Sequence, residues 1–150
     1  MTSLDRINNK ILHELLHDGR VTNSELADRV GLSPSACLRR VQELERSGVI
    51  KGYRAVLDRA ALGVGFTAYI AVGLSSHTSE SQSAFEEAIV QIPEVRECHN
   101  VTGVFEYLLR VETRDLAAYK IFHTDVLGTL PQVSTITTHV VMESVKDEGA

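Results

Sequence analysis

The chain has 150 residues, 43% of them hydrophobic and 23% charged, and a formal net charge of −5. That length suits one ordinary domain or two small ones with a packed core, and the composition excludes a disordered chain. No apolar run approaches the roughly 18 residues of a membrane span and no signal-peptide layout opens the sequence, so a cytoplasmic protein with no membrane partner is expected.

The opening segment reads as a helix. At about 100° per residue, Leu4, Ile7 and Leu15 fall within about 40° of Ile11, with Leu12 on the flank. Asp5 stands near the start, and Asp18-Gly19-Arg20 stops the helix. Inside it lies "HELLH", His13 to His17, which matches the H-E-x-x-H signature of zinc proteases. Both histidines fall about 200–240° from the centre of the apolar stripe, on the opposite face. A continuation with Gly at 20 and His at 23 is missing, since Arg20 and Asn23 stand there. Two solvated surface histidines and no metal are expected, with a small zinc hydrolase as the weaker alternative.

Thr22-Asn23-Ser24-Glu25 fits a capping box. Leu26, Ala27 and Val30 give the following short helix an apolar face, and Gly31 suits the left-handed residue that ends it. Ser33 then reads as the N-cap of a third helix with Pro34 at its first position. Two short helices across a tight glycine turn are the helix-turn-helix pattern, here from about Asn23 to Gln42. In the third helix Val41 and Leu44 fall within about 40° of Cys37, while Ser35, Arg39, Gln42 and Arg46 cluster on the opposite side. Arg can bond guanine bidentately, Gln can pair with adenine, and Ser can take a phosphate or a base. Ser33, Ser35, Arg39, Gln42 and Arg46 are therefore the candidate contacts to double-stranded DNA. Glu43 and Glu45 are expected to flank that surface or pair with Arg39 and Arg46. Gly48 ends the helix. Ile50 to Val56 reads as an extended segment, where Lys51 and Arg54 are placed to touch the DNA backbone as a wing would.

The second half has a different character. Residues 1–54 carry 9 Lys and Arg against 7 Asp and Glu; residues 55–150 carry 6 against 13. A mildly basic front and an acidic back suggest two modules with different partners. "GFTAYIAVGLSS" alternates, with Phe66, Ala68, Ile70, Val72 and Leu74 on one side, as in a strand with one buried face. Phe85, Ala88, Ile89 and Ile92 have helical spacing, and Pro93 stops that helix. "VRECHNVT" is a further strand. "FEYLLRVE" alternates Phe105, Tyr107, Leu109 and Val111 against Glu106, Leu108, Arg110 and Glu112. Asp115 can cap a helix carrying Leu116, Tyr119, Phe122 and Val126, and "QVSTITTHVVME" is a β-branched last strand. The order β-α-β-β-α-β is that of a ferredoxin-like domain, with helices on one face of the sheet and the other free for a second copy of the chain. The fold class is α+β, divided into a helix-turn-helix domain over 1–50, a connecting strand and linker over 51–64, and the ferredoxin-like domain over 65–150.

No catalytic constellation emerges: there is no phosphate loop, no G-x-S-x-G and no recognisable Cys-His pair. Cys37 and Cys98 read as reduced structural thiols, and His99 and His139 as hydrogen-bonded strand histidines. No cofactor is expected. "VTGVFEY", 101–107, is more suggestive. Gly103 allows a tight turn, and Thr102 and Glu106 set a hydroxyl and a carboxylate near one strand end. A carboxylate with turn amides can hold the ammonium and carboxylate of an amino acid.

"DRINNKILHELLHDGRVTNSELADRVGLSPSACLRRVQELERSGVIKGY" resembles the helix-turn-helix of the Lrp/AsnC (feast/famine) transcription regulators. "IPEVRECHNVTGVFEYLLRVETRDLAAY" and "VVMESVK" resemble their amino-acid-sensing domain, with the leucine-responsive branch the nearest in likeness. The resemblance spans nearly the whole chain. It implies a non-enzymatic, sequence-specific DNA-binding regulator whose assembly or DNA affinity responds to an amino-acid effector. It also implies dimerisation through the back domain, assembly up to octamers, and an effector site formed by Thr102, Gly103, Val104, Glu106 and Tyr107. Glu106 departs from the Asp frequent at its position in the family. The alternatives are an effector-independent architectural protein of the same fold and a stand-alone amino-acid-binding protein.

Overall fold

The structure is a computed structural model that describes residues 4–147. The chain separates into two compact units, with the division between Val56 and Leu57.

The first unit holds three helices, α1 (Arg6–His17), α2 (Asn23–Val30) and α3 (Pro34–Arg46). Each start is capped by the side chain just before it. The Asp5 carboxylate accepts from the Asn8 amide at 2.8 Å, and this bond, reinforced by Arg40, holds its carboxyl below the ordinary aspartate range. Thr22 and Glu25 form the reciprocal box at the start of α2. Ser33 accepts from the Ala36 amide, with Pro34 beginning α3. Gly31 ends α2 at φ 75°, a conformation that glycine adopts without a side-chain clash. The turn brings together Ile11, Leu26, Ala27, Val30, Cys37 and Leu44 as the buried core, with Ile7, Leu12, Leu15 and Val41 packed on it. Leu4 does not join its expected stripe. It precedes the Asp5 cap, so the helical phase does not extend to it, and it is exposed.

After α3 the expected connecting strand is absent. Residues 51–58 carry no regular element, and Lys51 to Asp58 are exposed. An extended segment becomes a strand only beside a neighbour that takes its hydrogen bonds, and among the described residues no strand pairs with it.

The second unit is a four-stranded antiparallel sheet in the order β2-β3-β1-β4, built from β1 (Phe66–Leu74), β2 (Val95–Asn100), β3 (Tyr107–Thr113) and β4 (Val133–Val140). α4 (Ser79–Val90) joins β1 to β2, and α5 (Leu116–Ile121) follows β3. α5 continues into a π-helical turn at Phe122–Val126 and a 3-10 turn at Leu127–Thr129. Phe85, Ile89, Tyr119, Phe122 and Leu127 from the helices pack against Ala68, Ile70, Val72, Tyr107, Leu109 and Val111 from the sheet. Leu116, expected on that apolar face, is exposed. β3 begins at Tyr107, two residues later than its alternation suggests, and both of its faces are buried. Its second face carries ions rather than a simple solvated surface. Glu112, whose side chain is 2% exposed, pairs with Arg110 at 3.1 Å and with Arg59, and Arg110 also reaches Glu97 at 3.5 Å.

Candidate nucleic-acid interface and ligand site

The first candidate surface is the outer side of α3. Turning Cys37 and Leu44 into the core leaves Ser35, Arg39, Gln42 and Arg46 exposed together, with Ser33 at the helix start. Ion pairs sort the cations nearby. Arg46 is held by Glu43, and Arg40 by Asp5 at 2.7 Å and by the Asn8 side chain at 3.0 Å. Glu45 accepts instead from the Tyr53 hydroxyl at 2.9 Å; desolvation of that hydroxyl, on a ring still half exposed, and then Glu45 push the phenol up to about 12. Among the described residues no acidic side chain pairs with Arg39, Lys51 or Arg54. Asn23, expected to be the start of the motif, donates from its side chain to the Pro34 carbonyl at 2.8 Å and so ties α2 to the first turn of α3. The Arg40 bridge from α3 to α1 is not visible in the sequence, because its partners lie 35 and 32 residues away.

His13 and His17 lie side by side on α1, exposed, with ring centroids 4.4 Å apart. Glu14 between them is engaged by Arg29 at 3.3 Å. No group of three or more His, Cys, Asp or Glu side chains able to hold a metal ion occurs among the described residues.

The second candidate surface is the end of the sheet where the loop 102–106 meets β1. The Val101 amide donates to the Glu106 carbonyl at 2.8 Å and closes the loop, and the Glu106 amide donates to Val72 at 3.1 Å. Gly103 sits at φ 123°. Thr102, Gly103 and Val104 are exposed, Val104 fully so. Glu106 turns inward. One carboxylate oxygen, Oε2, accepts from the Leu74 amide at 2.7 Å, and the other, Oε1, lies 2.9 Å from Nδ1 of His77. Its side chain is 15% exposed, and that of His77 is 78% exposed. Gly73 makes room for this: a Cβ there would collide with the Thr135 hydroxyl and come within 3.7 Å of Oε2 of Glu106.

Glu106 and Tyr107 are neighbours whose side chains go opposite ways. The Tyr107 ring is buried in the core, 4.6 Å from that of Phe85, and its hydroxyl donates to Glu86 at 2.5 Å. Burial, then Glu86, pushes this phenol up to about 12. Thus the structure gathers Thr102, Gly103 and Val104 on the loop, turns Glu106 under it and sends the Tyr107 side chain elsewhere. Sequence reasoning missed His77, Gly73 and Thr135. A glycine interrupting an alternating strand signals close approach, so Gly73 was discoverable; nothing in the spacing of "SSHTS" marks His77.

The winged helix-turn-helix DNA-binding family matches residues 4–51, and the Lrp/AsnC ligand-binding domain matches residues 67–150. The leucine-responsive regulatory protein of Escherichia coli K12 is 43% identical over 146 residues, covering 97% of this chain and 89% of that protein. The chain belongs to the Lrp/AsnC family. Solved Lrp/AsnC-like structures agree in fold. A transcriptional regulator from Neisseria meningitidis, in complex with L-Met, has a TM-score of 0.93 at 34% identity, covering 97% of this chain and 94% of the other. The feast or famine regulatory protein from M. tuberculosis, complexed with L-methionine, has a TM-score of 0.83 at 31% identity, covering 97% and 96%. The two units are therefore those of an Lrp/AsnC transcription regulator, a DNA-binding helix-turn-helix domain and a ligand-binding domain of four antiparallel strands.

Proposed function

We propose that this regulator reads double-stranded DNA through Ser33, Ser35, Arg39, Gln42 and Arg46, with Lys51 and Arg54 on phosphates. We propose further that it binds an amino acid at the Glu106 end of the sheet, in the cytoplasm, as a homo-oligomer built from dimers and reaching as far as an octamer. The observation that carries the DNA reading is the outward face of α3, with Arg39 exposed and no acidic partner beside it among the described residues. An unneutralised guanidinium on a helix of this motif is ready for a base edge or a phosphate. The effector reading draws on the sheltered Glu106 carboxylate at the end of the loop that exposes Thr102, Gly103 and Val104, a place for an ammonium group. L-methionine in two structural relatives and the leucine-responsive name of a curated one support an amino acid as the class. The helix-free face of the sheet is the surface proposed for the second copy.

The test is calorimetry of the full chain with the twenty standard L-amino acids, beside genomic footprinting with and without each. Binding of one of them, weakened at least tenfold by Glu106→Gln, is expected; that is about 1.4 kcal/mol. Unchanged affinity in Glu106→Gln removes the carboxylate from the site. A second reading, an effector-independent DNA-binding protein, rests on one observation: both oxygens of Glu106 already have partners within the chain. Absence of binding across the panel selects it.

A further inference from the structure

The partners of Glu106 are not equivalent. Oε2 accepts from the Leu74 backbone amide at 2.7 Å, a donor fixed at the end of β1. Oε1 faces Nδ1 of His77 at 2.9 Å, on an exposed side chain between β1 and α4 that can swing away. An amino-acid ammonium group that seeks this carboxylate therefore meets one oxygen firmly engaged and one held by a displaceable base. We propose that His77 occupies the ammonium subsite in the ligand-free protein, so that effector and His77 compete for Oε1 of Glu106. This rests on the effector reading above and adds its regulation.

The chemistry sets the sign. A charged imidazole on a carboxylate is a charge-assisted pair; a neutral one makes an ordinary hydrogen bond or none. Histidine is the side chain whose ordinary titration spans the neutral range. The ligand keeps its ammonium charge throughout that range, and a glutamate keeps its negative charge through most of it. Lowering the pH therefore strengthens the competitor alone. Affinity for the effector rises with pH wherever the pair favours the charged imidazole, and the proton that the pair holds and the displaced ring does not is released, at most one for each ligand that enters.

The groups around the pair support this assignment to His77. From β4 the Thr135 hydroxyl approaches across Gly73; it does not titrate in this range. From α4, Glu86 is engaged by the Tyr107 hydroxyl on the other side of β3. On β2 the other nearby histidine, His99, stands opposite Leu108 and faces Glu97 at 3.4 Å, not Glu106.

The test is calorimetry of the full chain with the twenty standard L-amino acids from about pH 5.5 to 8, on the wild-type, His77→Gln and His99→Gln proteins. Two buffers of different ionisation enthalpy read the proton release directly. His77 is exposed, so its replacement leaves the fold intact. The expected result is an affinity that climbs with pH in the wild type, by no more than about tenfold per pH unit, over the range where the ring is charged in the pair and neutral once displaced. The climb is flat in His77→Gln and retained in His99→Gln, and at the acid end His77→Gln binds more tightly than wild type. Binding by His77→Gln alone is the same result in its extreme form. A wild-type affinity that ignores pH, a slope that survives His77→Gln, or tighter binding in acid, as a His77 contact to the ligand carboxylate would give, overturns the competition while leaving the effector site standing. No binding by any of the three proteins overturns both.

Discussion

At the scale of single residues, the sorting of cations on the DNA-binding unit decides what each mutation should do. Arg39 is exposed and without an acidic partner among the described residues, whereas Arg46 is tied to Glu43. Arg39→Ala should then weaken binding to the specific site by about 1–3 kcal/mol and relax selectivity there. Lys51→Ala, if Lys51 meets only phosphate, should weaken all DNA alike and flatten the salt dependence. Gel shifts at two salt concentrations separate the two effects, and unchanged specific binding by folded Arg39→Ala protein refutes the role of α3. These positions were legible in the sequence because a helix repeats at a fixed angle, so Cys37, Val41 and Leu44 imply the opposite face. Glu106 was legible as a carboxylate at a strand end. Its partners were not, because His77 and Leu74 reach it from 29 and 32 residues away, and no local pattern encodes a contact between chain segments so far apart.

At the scale of elements, the starts of helices were read most accurately. Caps are local chemistry: Thr22 with Glu25 and Ser33 with Pro34 form within a single turn. Thr22→Ala removes one partner of the box at α2 and should lower stability by about 1 kcal/mol, measured by denaturant unfolding. The aspartate caps add a pH dependence. The carboxyls of Asp5 and Asp115 lie below the ordinary range, first because they accept the Asn8 and Ala118 amides. A lowered folded value means that the contribution is present above the unfolded value and fades as pH falls through the folded one. Unfolding midpoints should therefore hold steady at neutral pH and drop below about pH 4, less steeply in Asp5→Asn. What the sequence hid at this scale was non-local. The segment 51–58 has strand-like residues but no paired strand among the described residues, and β3 begins at Tyr107 because Phe105 and Glu106 belong to the loop closed by the Val101 bond.

Across the ligand-binding unit, the β-α-β-β-α-β order was readable from periodicity; the spatial order β2-β3-β1-β4, in which the β1-to-β2 and β3-to-β4 crossovers each skip a strand, was not. The ion cluster on the helix-free face was not readable, since alternation marks Arg110 and Glu112 merely as polar. Glu112 is almost wholly buried and receives both Arg59 and Arg110. Removing one member of a buried pair costs about 3–5 kcal/mol where the other charge is left uncompensated, whereas an apolar replacement of the whole group can be neutral. Arg110 keeps Glu97 and Asp147 and Arg59 is partly solvated, so Glu112→Ala should destabilise the protein by less than that but by more than about 1 kcal/mol in calorimetric or denaturant melts. A loss below about 1 kcal/mol, the range of surface pairs, shows that water reaches the cluster in solution.

The division of charge argues for assembly. The first 54 residues carry only two more cations than anions, with 9 Lys and Arg against 7 Asp and Glu. Each neutralised phosphate adds only a modest, salt-sensitive increment, so one such unit is a weak DNA ligand. Two held at a fixed separation by their ligand-binding units gain effective concentration, and the second contact becomes intramolecular. A fixed separation is also a fixed phase on the double helix. Half-sites should lie about one helical turn, or a multiple of it, apart. Inserting about half a turn between them, roughly 5 base pairs, should cut affinity strongly, and a full turn should restore part of it. Gel shifts on such spaced operators, read beside light scattering at micromolar concentration, check both halves of the argument. Indifference to spacing, or a monomer that binds its operator with full affinity, removes the need for assembly and returns the whole burden of recognition to a single α3.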